Sequence, residues 1–212
     1  ASKASANGLS VTVHAIGDKA VHDILDVYEA VRQTETGRPL RHRIEHVQVY
    51  HPMDRNRLAE LNVIASMQPV HAASDMQMAD AYWGERAQYS YAWRDMLNSG
   101  AVLVFGSDFP VEQIDPLLGI YAAVTRRPLS GDYAPEGWYP EQALTMEEAI
   151  RAFTEATAVT SGQAHQLGTI TAGKLADLTI FDRDLFAIDP EEIRQTKVIG
   201  TMVGGVFKYR SF

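Results

Sequence analysis

Three short apolar runs in this chain end in residues that bind metal ions. They are Val11-Thr12-Val13-His14, His42-Arg43-Ile44-Glu45-His46 and Val102-Leu103-Val104-Phe105-Gly106-Ser107-Asp108. Each reads as a buried strand whose last residues reach a site. In a parallel α/β barrel the C-terminal strand ends open onto one face, where the chemistry sits. Two imidazoles and a carboxylate converging there make a divalent-metal site. His14 and His46 would bind through neutral ring nitrogens. Asp108 would serve as a ligand and as the catalytic base for a water whose pKa the ion lowers to about 7. A lone His at a strand end is commonly a hydrogen-bonded core residue; three such ends at regular spacing weigh against that reading.

The spacing supports one face. His14 and His46 are 32 residues apart and His46 and Asp108 62 apart. One βα unit takes about 30 residues. The gaps are therefore one unit and two, with Asn62-Val63-Ile64-Ala65-Ser66-Met67-Gln68 as the strand between, closed by Pro69. Four units of this kind make half of a barrel.

The elements that position these residues follow from periodicity and turn chemistry. Val11 to Ala15 is predicted as a strand. Gly17-Asp18 turns the chain into a helix with Ala20, Ile24, Val27, Tyr28 and Val31 at helical spacing, ended by Gly37 and Pro39. His42 to Val49 is the second strand and Pro52 to Leu61 the second helix. Ala72 to Ser90 reads as a long polar and aromatic loop, Tyr91 to Ser99 as a helix, and Ala101 to Phe105 as the fourth strand. Gly131 to Gln142, rich in Gly, Pro and aromatics, reads as an active-site loop. Thr145 opens a helix with Glu148 at the capping-box position. Gly168 to Phe181 reads as two short strands about a glycine turn, and Val198 to Tyr209 as a hairpin around Gly204-Gly205. Alternating strands and helices predict a parallel sheet with right-handed crossovers.

Composition narrows the chemistry. The 212 residues include no Cys, which excludes thiolate metal sites, disulfides and a Cys nucleophile, so any ion rests on His, Asp or Glu. A formal net charge of −8 argues against nucleic acid and anionic membranes as partners. No apolar run reaches membrane-spanning length and no signal peptide is evident, as expected of a cytoplasmic protein.

Other residues carry weaker signals. His42 shares strand parity with His46 and would face the barrel interior lower down, while Glu45, of opposite parity, would pair with a basic neighbour. Val11, Val13, Ile44, Val102 and Val104 would also point inward. His71, just past a strand end in Gln68-Pro69-Val70-His71, could touch substrate or pack its loop. His22, His51 and His165 read as surface residues. The aromatics Tyr82, Trp83, Tyr89, Tyr91, Trp93, Trp138 and Tyr139 could wall a pocket, with helix packing the commoner role for such residues.

Val13-His14-Ala15-Ile16-Gly17-Asp18, Arg43-Ile44-Glu45-His46, Phe105-Gly106-Ser107-Asp108-Phe109-Pro110-Val111, Gly173-Lys174-Leu175-Ala176-Asp177-Leu178 and Met202-Val203-Gly204-Gly205-Val206 together resemble the amidohydrolase superfamily. The resemblance is closest to the YtcJ-like branch (amidohydrolase family 3), which includes N-substituted formamide deformylases. It implies a distorted (β/α)8 TIM barrel beside a small β-sandwich. His14 would end the fifth barrel strand, His46 the sixth and Asp108 the eighth. Residues 1–165 would be the C-terminal half of the barrel and residues 166–212 the C-terminal strands of the sandwich. The implied activity is hydrolysis of a C–N bond in an amide or N-substituted formamide, with a divalent metal, most readily Zn2+, held by His14, His46 and Asp108.

The family also places a His-x-His pair on the first strand and a bridging Lys or acidic residue on the fourth. No His-x-His occurs in this sequence. The ion is therefore expected to be partial or absent in this chain alone, and the chain alone inactive. Its expected partners are a small amide-type substrate and either the missing N-terminal half of the barrel or a second copy. Two other readings compete: a non-catalytic half-barrel acting only in assembly with another chain, and a metal-free α/β binding domain.

Overall fold

A computed structural model describes residues 1–37 and 39–212. Four strands, β1 (Thr12–Ala15), β2 (Arg43–His46), β3 (Ile64–Met67) and β4 (Leu103–Phe105), form one parallel sheet in chain order. β4 is wholly apolar (Leu103, Val104, Phe105), as expected of a strand in a parallel sheet, while β1 and β2 place Val13 and Ile44 among polar residues. The crossovers include the Asp18–Thr34 helix, a 3-10 turn Pro52–Asp54 with the one-turn helix Arg57–Glu60, and the Pro69–Trp83 and Trp93–Asn98 helices. A second, antiparallel sheet has the order β5 (Leu178–Phe181), β6 (Val198–Val203), β7 (Val206–Arg210).

Register decides which side chains share a face. Val13 stands beside Ile44, Ile44 beside Ala65, and Ala65 beside Leu103. This row belongs to the core under the helices, with Val21, Leu25 and Tyr28 of the Asp18–Thr34 helix. Phe105 continues it, edge-on to Trp93 and Phe153. The opposite row runs His14, Glu45, Ser66, Val104. Val13 and Ile44 thus face the helices rather than the barrel interior, contrary to the sequence reading. His42 does the same: its ring is fully buried, stacked at 5.1 Å on Tyr28. Val11 N–H donates to His42 Nδ1 over 2.9 Å.

Several elements differ from expectation. The helical stripe that is buried on Asp18–Thr34 is Val21, Leu25, Tyr28 and Val31, while Val27 is exposed. The stretch read as a loop, Ala72 to Ser90, is instead the Pro69–Trp83 helix followed by a 3-10 segment, Gly84–Tyr89. Pro69 ends the strand, and at N1 it also opens the helix, where its missing N–H costs nothing. A further helix, Pro116–Thr125, starts behind Asp115, whose side chain accepts from Leu117 N–H. Residues 168–177 hold no strand, so one strand, β5, replaces the expected pair. The Gly204-Gly205 hairpin is present, with both glycines at positive φ. The Thr145 capping box is complete, Thr145 and Glu148 each bonding the other's backbone N–H. Leu185 and Ile193 pack into the same core as Leu117 and Ile120.

The predicted active-site loop is pinned by two polar anchors. Asp80, one turn from the end of the Pro69–Trp83 helix, accepts from Tyr133 Oη at 2.5 Å and from Trp138 Nε1 at 2.9 Å. Arg126 lies buried between the rings of Trp93 and Trp138 and donates to the carbonyls of Trp138 and Tyr91. Burial pushes its pKa down to about 9, so it stays charged at neutral pH. Most of the aromatics are therefore packing residues, though Tyr82 is exposed.

Candidate metal centre

Three of the four parallel strands carry the residues singled out by type at or just past their C-terminal ends, and the remaining strand, β3, is followed by Gln68. His14 lies within β1, His46 closes β2, Gln68 follows β3 directly, and Asp108 follows β4 by three residues. The ring of His46 meets that of His14 edge to face at 4.5 Å between centroids, and lies 5.8 Å from that of His71. One donor atom each from His46, His71 and Asp108 falls within 4.8 Å of the other two.

Local backbone makes this possible. His46 takes φ 79° and Val47 φ 44°, a left-handed excursion that costs a non-glycine residue about 1–2 kcal/mol. It breaks the alternation set by His42 and Ile44, which face the helices, and lets His46 reach the ring of His14. Asp108 is also left-handed, at φ 58°, and its carbonyl accepts from Val111 N–H at 2.8 Å. Glu45, in the His14 row, pairs with Arg43 at 2.6 Å. It finds the basic neighbour the sequence suggested, but on the opposite face.

Gln68 was not singled out by sequence, although it stands in the same Gln68-Pro69-Val70-His71 segment. Its Oε1 lies 2.8 Å from His46 Nδ1, and its Nε2 points to the Ser66 carbonyl at 3.5 Å. That orientation makes the amide oxygen the acceptor and puts the proton of His46 on Nδ1. The lone pair of His46 is then on Nε2, free for an ion. Metal-bound His side chains are commonly held this way from behind.

His71, in the first turn of the Pro69–Trp83 helix, is buried, and neither of its ring nitrogens has a hydrogen-bond partner among the described residues. Its Nε2 is 3.9 Å from Asp108 Oδ2, beyond hydrogen-bonding distance. Burial pulls the His71 pKa below that of an ordinary imidazole, so the ring is neutral with a lone pair available. Asp108 is more open, with 39% of its side chain exposed. Two imidazoles, a carboxylate and orphaned buried nitrogens suit a divalent ion of borderline softness.

The remaining histidines sit elsewhere. His22 is half-buried, with Nδ1 3.0 Å from the buried Asp54. His51 is exposed and caps the Pro52–Asp54 turn, and His165 is exposed. A cavity of about 220 Å3 lined by Arg41, Asn62, Ile64 and Val102 opens at the opposite, N-terminal ends of the strands.

Comparison with known proteins fits this geometry. The model of a family described as the amidohydrolase family matches residues 1–209. Protein LONG AFTER FAR-RED 3 of Arabidopsis thaliana is 39% identical over 95% of this chain and 34% of its own length. The N-substituted formamide deformylase of Arthrobacter pascens is 31% identical over 98% of this chain and 38% of its own. An uncharacterized metal-dependent hydrolase from Pyrococcus horikoshii OT3 superposes with a TM-score of 0.74 at 31% identity, over 89% of this chain and 37% of that one. The chain thus spans a little over a third of the length of the proteins it matches. With matching motifs, a parallel sheet and a cluster of His and Asp donors at its strand ends, the chain belongs to the amidohydrolase family.

Proposed function

We propose that this chain supplies His14, His46 and Asp108 to the ion of a metal-dependent hydrolase that cleaves a C–N bond in an amide or N-substituted formamide. In this reading β1 to β4 are the fifth to eighth strands of a distorted (β/α)8 TIM barrel, and β5 to β7 belong to a small β-sandwich. Zinc is the ion that best suits a Cys-free set of His and carboxylate donors. For His46 and Asp108 the observation that carries the reading is the convergence of their donors, with one from His71, within 4.8 Å at the strand ends; His14 joins them through its 4.5 Å ring contact with His46. The relationship to an N-substituted formamide deformylase supports the bond type.

When bound, a divalent ion supplies a water acidic enough to yield hydroxide near neutral pH and polarises a carbonyl. Each residue here has a part in what surrounds it. Gln68 holds the His46 ring in one tautomer and one orientation. Asp108, the most open of the cluster, is placed to take a proton from the attacking water and hand it to the departing nitrogen, which leaves as an amine. His14 and His46 wall the side of the site formed by β1 and β2. On its own the 212-residue polypeptide is inactive, because the His-x-His pair of the family is not among its residues.

The test is amine release from N-substituted formamides and simple amides by the intact protein loaded with Zn2+. Turnover lost on chelation and restored by Zn2+ is expected. A metal-loaded protein that releases no amine from any of these substrates would remove the reading.

A further inference from the structure

We propose that His71 is itself a metal ligand, so that His46, His71 and Asp108 bind one divalent ion together. This rests on the reading of the site as a metal centre. The motif comparison assigns His14, His46 and Asp108 and is silent on His71.

The argument begins with what His71 lacks. Its side chain is only 8% exposed, and both ring nitrogens are shut off from solvent without a partner among the described residues. A buried donor or acceptor left unmade is costly, so the ring is under pressure to find a partner. Its ionisable neighbours are Glu112, Asp108, Asp75 and His46. Two of these carboxylates are already engaged: Asp75 accepts from Tyr91 Oη at 2.6 Å and Glu112 from Ser74 Oγ at 2.9 Å. Asp108 is the remaining one, and it stands too far for a hydrogen bond at 3.9 Å. That gap is closer to the separation of two ligands than to that of a donor and acceptor. Donor atoms sharing a tetrahedral ion lie about 3.5 Å apart. A spread of up to 4.8 Å among His46, His71 and Asp108 closes by side-chain rotation of about an ångström.

The scaffold favours the role. His71 sits at the start of a 15-residue helix, and His46 is held from behind by Gln68 in the same connection. One short segment thus fixes one ligand through its backbone and another through a hydrogen bond. Sequence alone left His71 either a substrate contact or a loop-packing residue; the donor spacing favours the ion.

The experiment is titration of the intact, metal-stripped protein with Co2+, followed by its visible absorption, in wild type and His71→Ala. Loss of at least about tenfold in Co2+ affinity, with a changed spectrum, is expected, since even residues behind the ligands are worth 10–100-fold. Unchanged affinity and spectrum in His71→Ala, with a raised KM for substrate, would overturn the proposal and make His71 a substrate contact while leaving the metal centre standing. Failure of the wild type to bind Co2+ at all would overturn both. Should His71→Ala not fold, wild-type protein with 15N-labelled histidine gives the same answer. A large Zn2+-induced shift of a His71 ring nitrogen supports ligation, and an unmoved one overturns it.

Discussion

His46 meets His14 ring to ring at 4.5 Å, although Ile44, two residues before His46, faces the other side of the sheet. Alternation along a strand cannot produce that contact. The φ of 79° at His46 does, by rotating the strand end out of its period. Non-glycine residues in this conformation cluster at functional sites, where surrounding structure holds the strain. The core under His46 is the part that holds it, since the following Val47 is fully buried at φ 44°.

Asp108→Asn in the intact enzyme is expected to lower kcat by about 10²–10⁴-fold, the usual contribution of a positioned base. The amide keeps the size of the carboxylate and cannot take the proton. Thermal unfolding should be unchanged, because Asp108 is partly exposed and the carbonyl that bonds Val111 is retained. Wild-type turnover in the variant would remove Asp108 from the chemistry.

Gln68→Leu should weaken Zn2+ binding by about 10–100-fold without moving the unfolding midpoint of the metal-free protein by much. Leu fills a similar volume but leaves His46 Nδ1 without its acceptor, freeing the ring to change tautomer. Competition with a chromophoric chelator reads the affinity. Binding as tight as wild type would show that His46 needs no support from Gln68.

How much of this was legible in the sequence depends on what each residue obeys. Strand ends with His or Asp were readable because apolar runs and βα spacing are periodic, and β1 to β4 fall where those runs lie. The Thr145 capping box was readable because it is local chemistry between Thr145 and Glu148. The facing of His42 was not, since it was inferred from His46 and His46 breaks the period. The Pro69–Trp83 helix was hidden by its own sequence. Ala72, Ala73, Met76 and Ala79 bury a small-residue face that lacks the strong apolar stripe a helix usually shows, and the aromatics after it suggested a loop. Gln68 was passed over because an amide carries no charge and is not among the usual ligands of zinc. Its role exists only in the 2.8 Å contact.

Glu148→Ala is expected to destabilise the fold by about 2–3 kcal/mol, summing the lost cap and a charged hydrogen bond. The Arg94 guanidinium, 2.6 Å away, and the Thr145 cap hold the Glu148 carboxyl down at about 2. For a chain of this size that loss lowers Tm by about 5–10 °C. Glu148→Gln should cost less, because it keeps a cap acceptor and loses only the charge. Equal melting of Glu148→Ala and wild type would mean that the Arg94 pair contributes nothing.

Acid should weaken the sheet end at His42 in two stages. Burial, aided by Arg32, lowers the His42 pKa below 6.5 in spite of Glu35 nearby. The unfolded chain therefore takes up that proton first, and stability falls as pH drops below about 6.5 until the folded ring is protonated too. One proton gives at most about 1.4 kcal/mol per pH unit. Burial alone would raise Glu35, but hydrogen bonds from Arg32 and Ser5 outweigh it and hold it below 4.5. Its contribution is present above 4.5 and is lost as pH falls through the lower folded value. Urea midpoints between pH 8 and 5 test the first stage. His42→Asn, which can still accept from Val11 N–H, should show a flatter profile than wild type; matching profiles would acquit His42.

The 212-residue polypeptide on its own is expected to self-associate. β1 and β4 stand at the two ends of the parallel sheet order; β4 is buried, whereas β1, with Thr12 and His14 exposed, offers an edge of backbone donors and acceptors. β1 carries no lysine or proline that would discourage pairing. On the second sheet Val203, Val206, Phe207, Tyr209 and Phe212 are exposed together, a grouping that marks contact surfaces. The net charge of −8 opposes association at low salt and is screened within about 8 Å at physiological ionic strength. Sedimentation at micromolar concentration should therefore show species heavier than 23.5 kDa, increasing as salt is added. Adding a polypeptide that supplies the complementary barrel strands should replace them with a single complex. A monomer at all salt concentrations, unfolding in one cooperative step, would show that this edge and the β6–β7 face are stable in water as they stand.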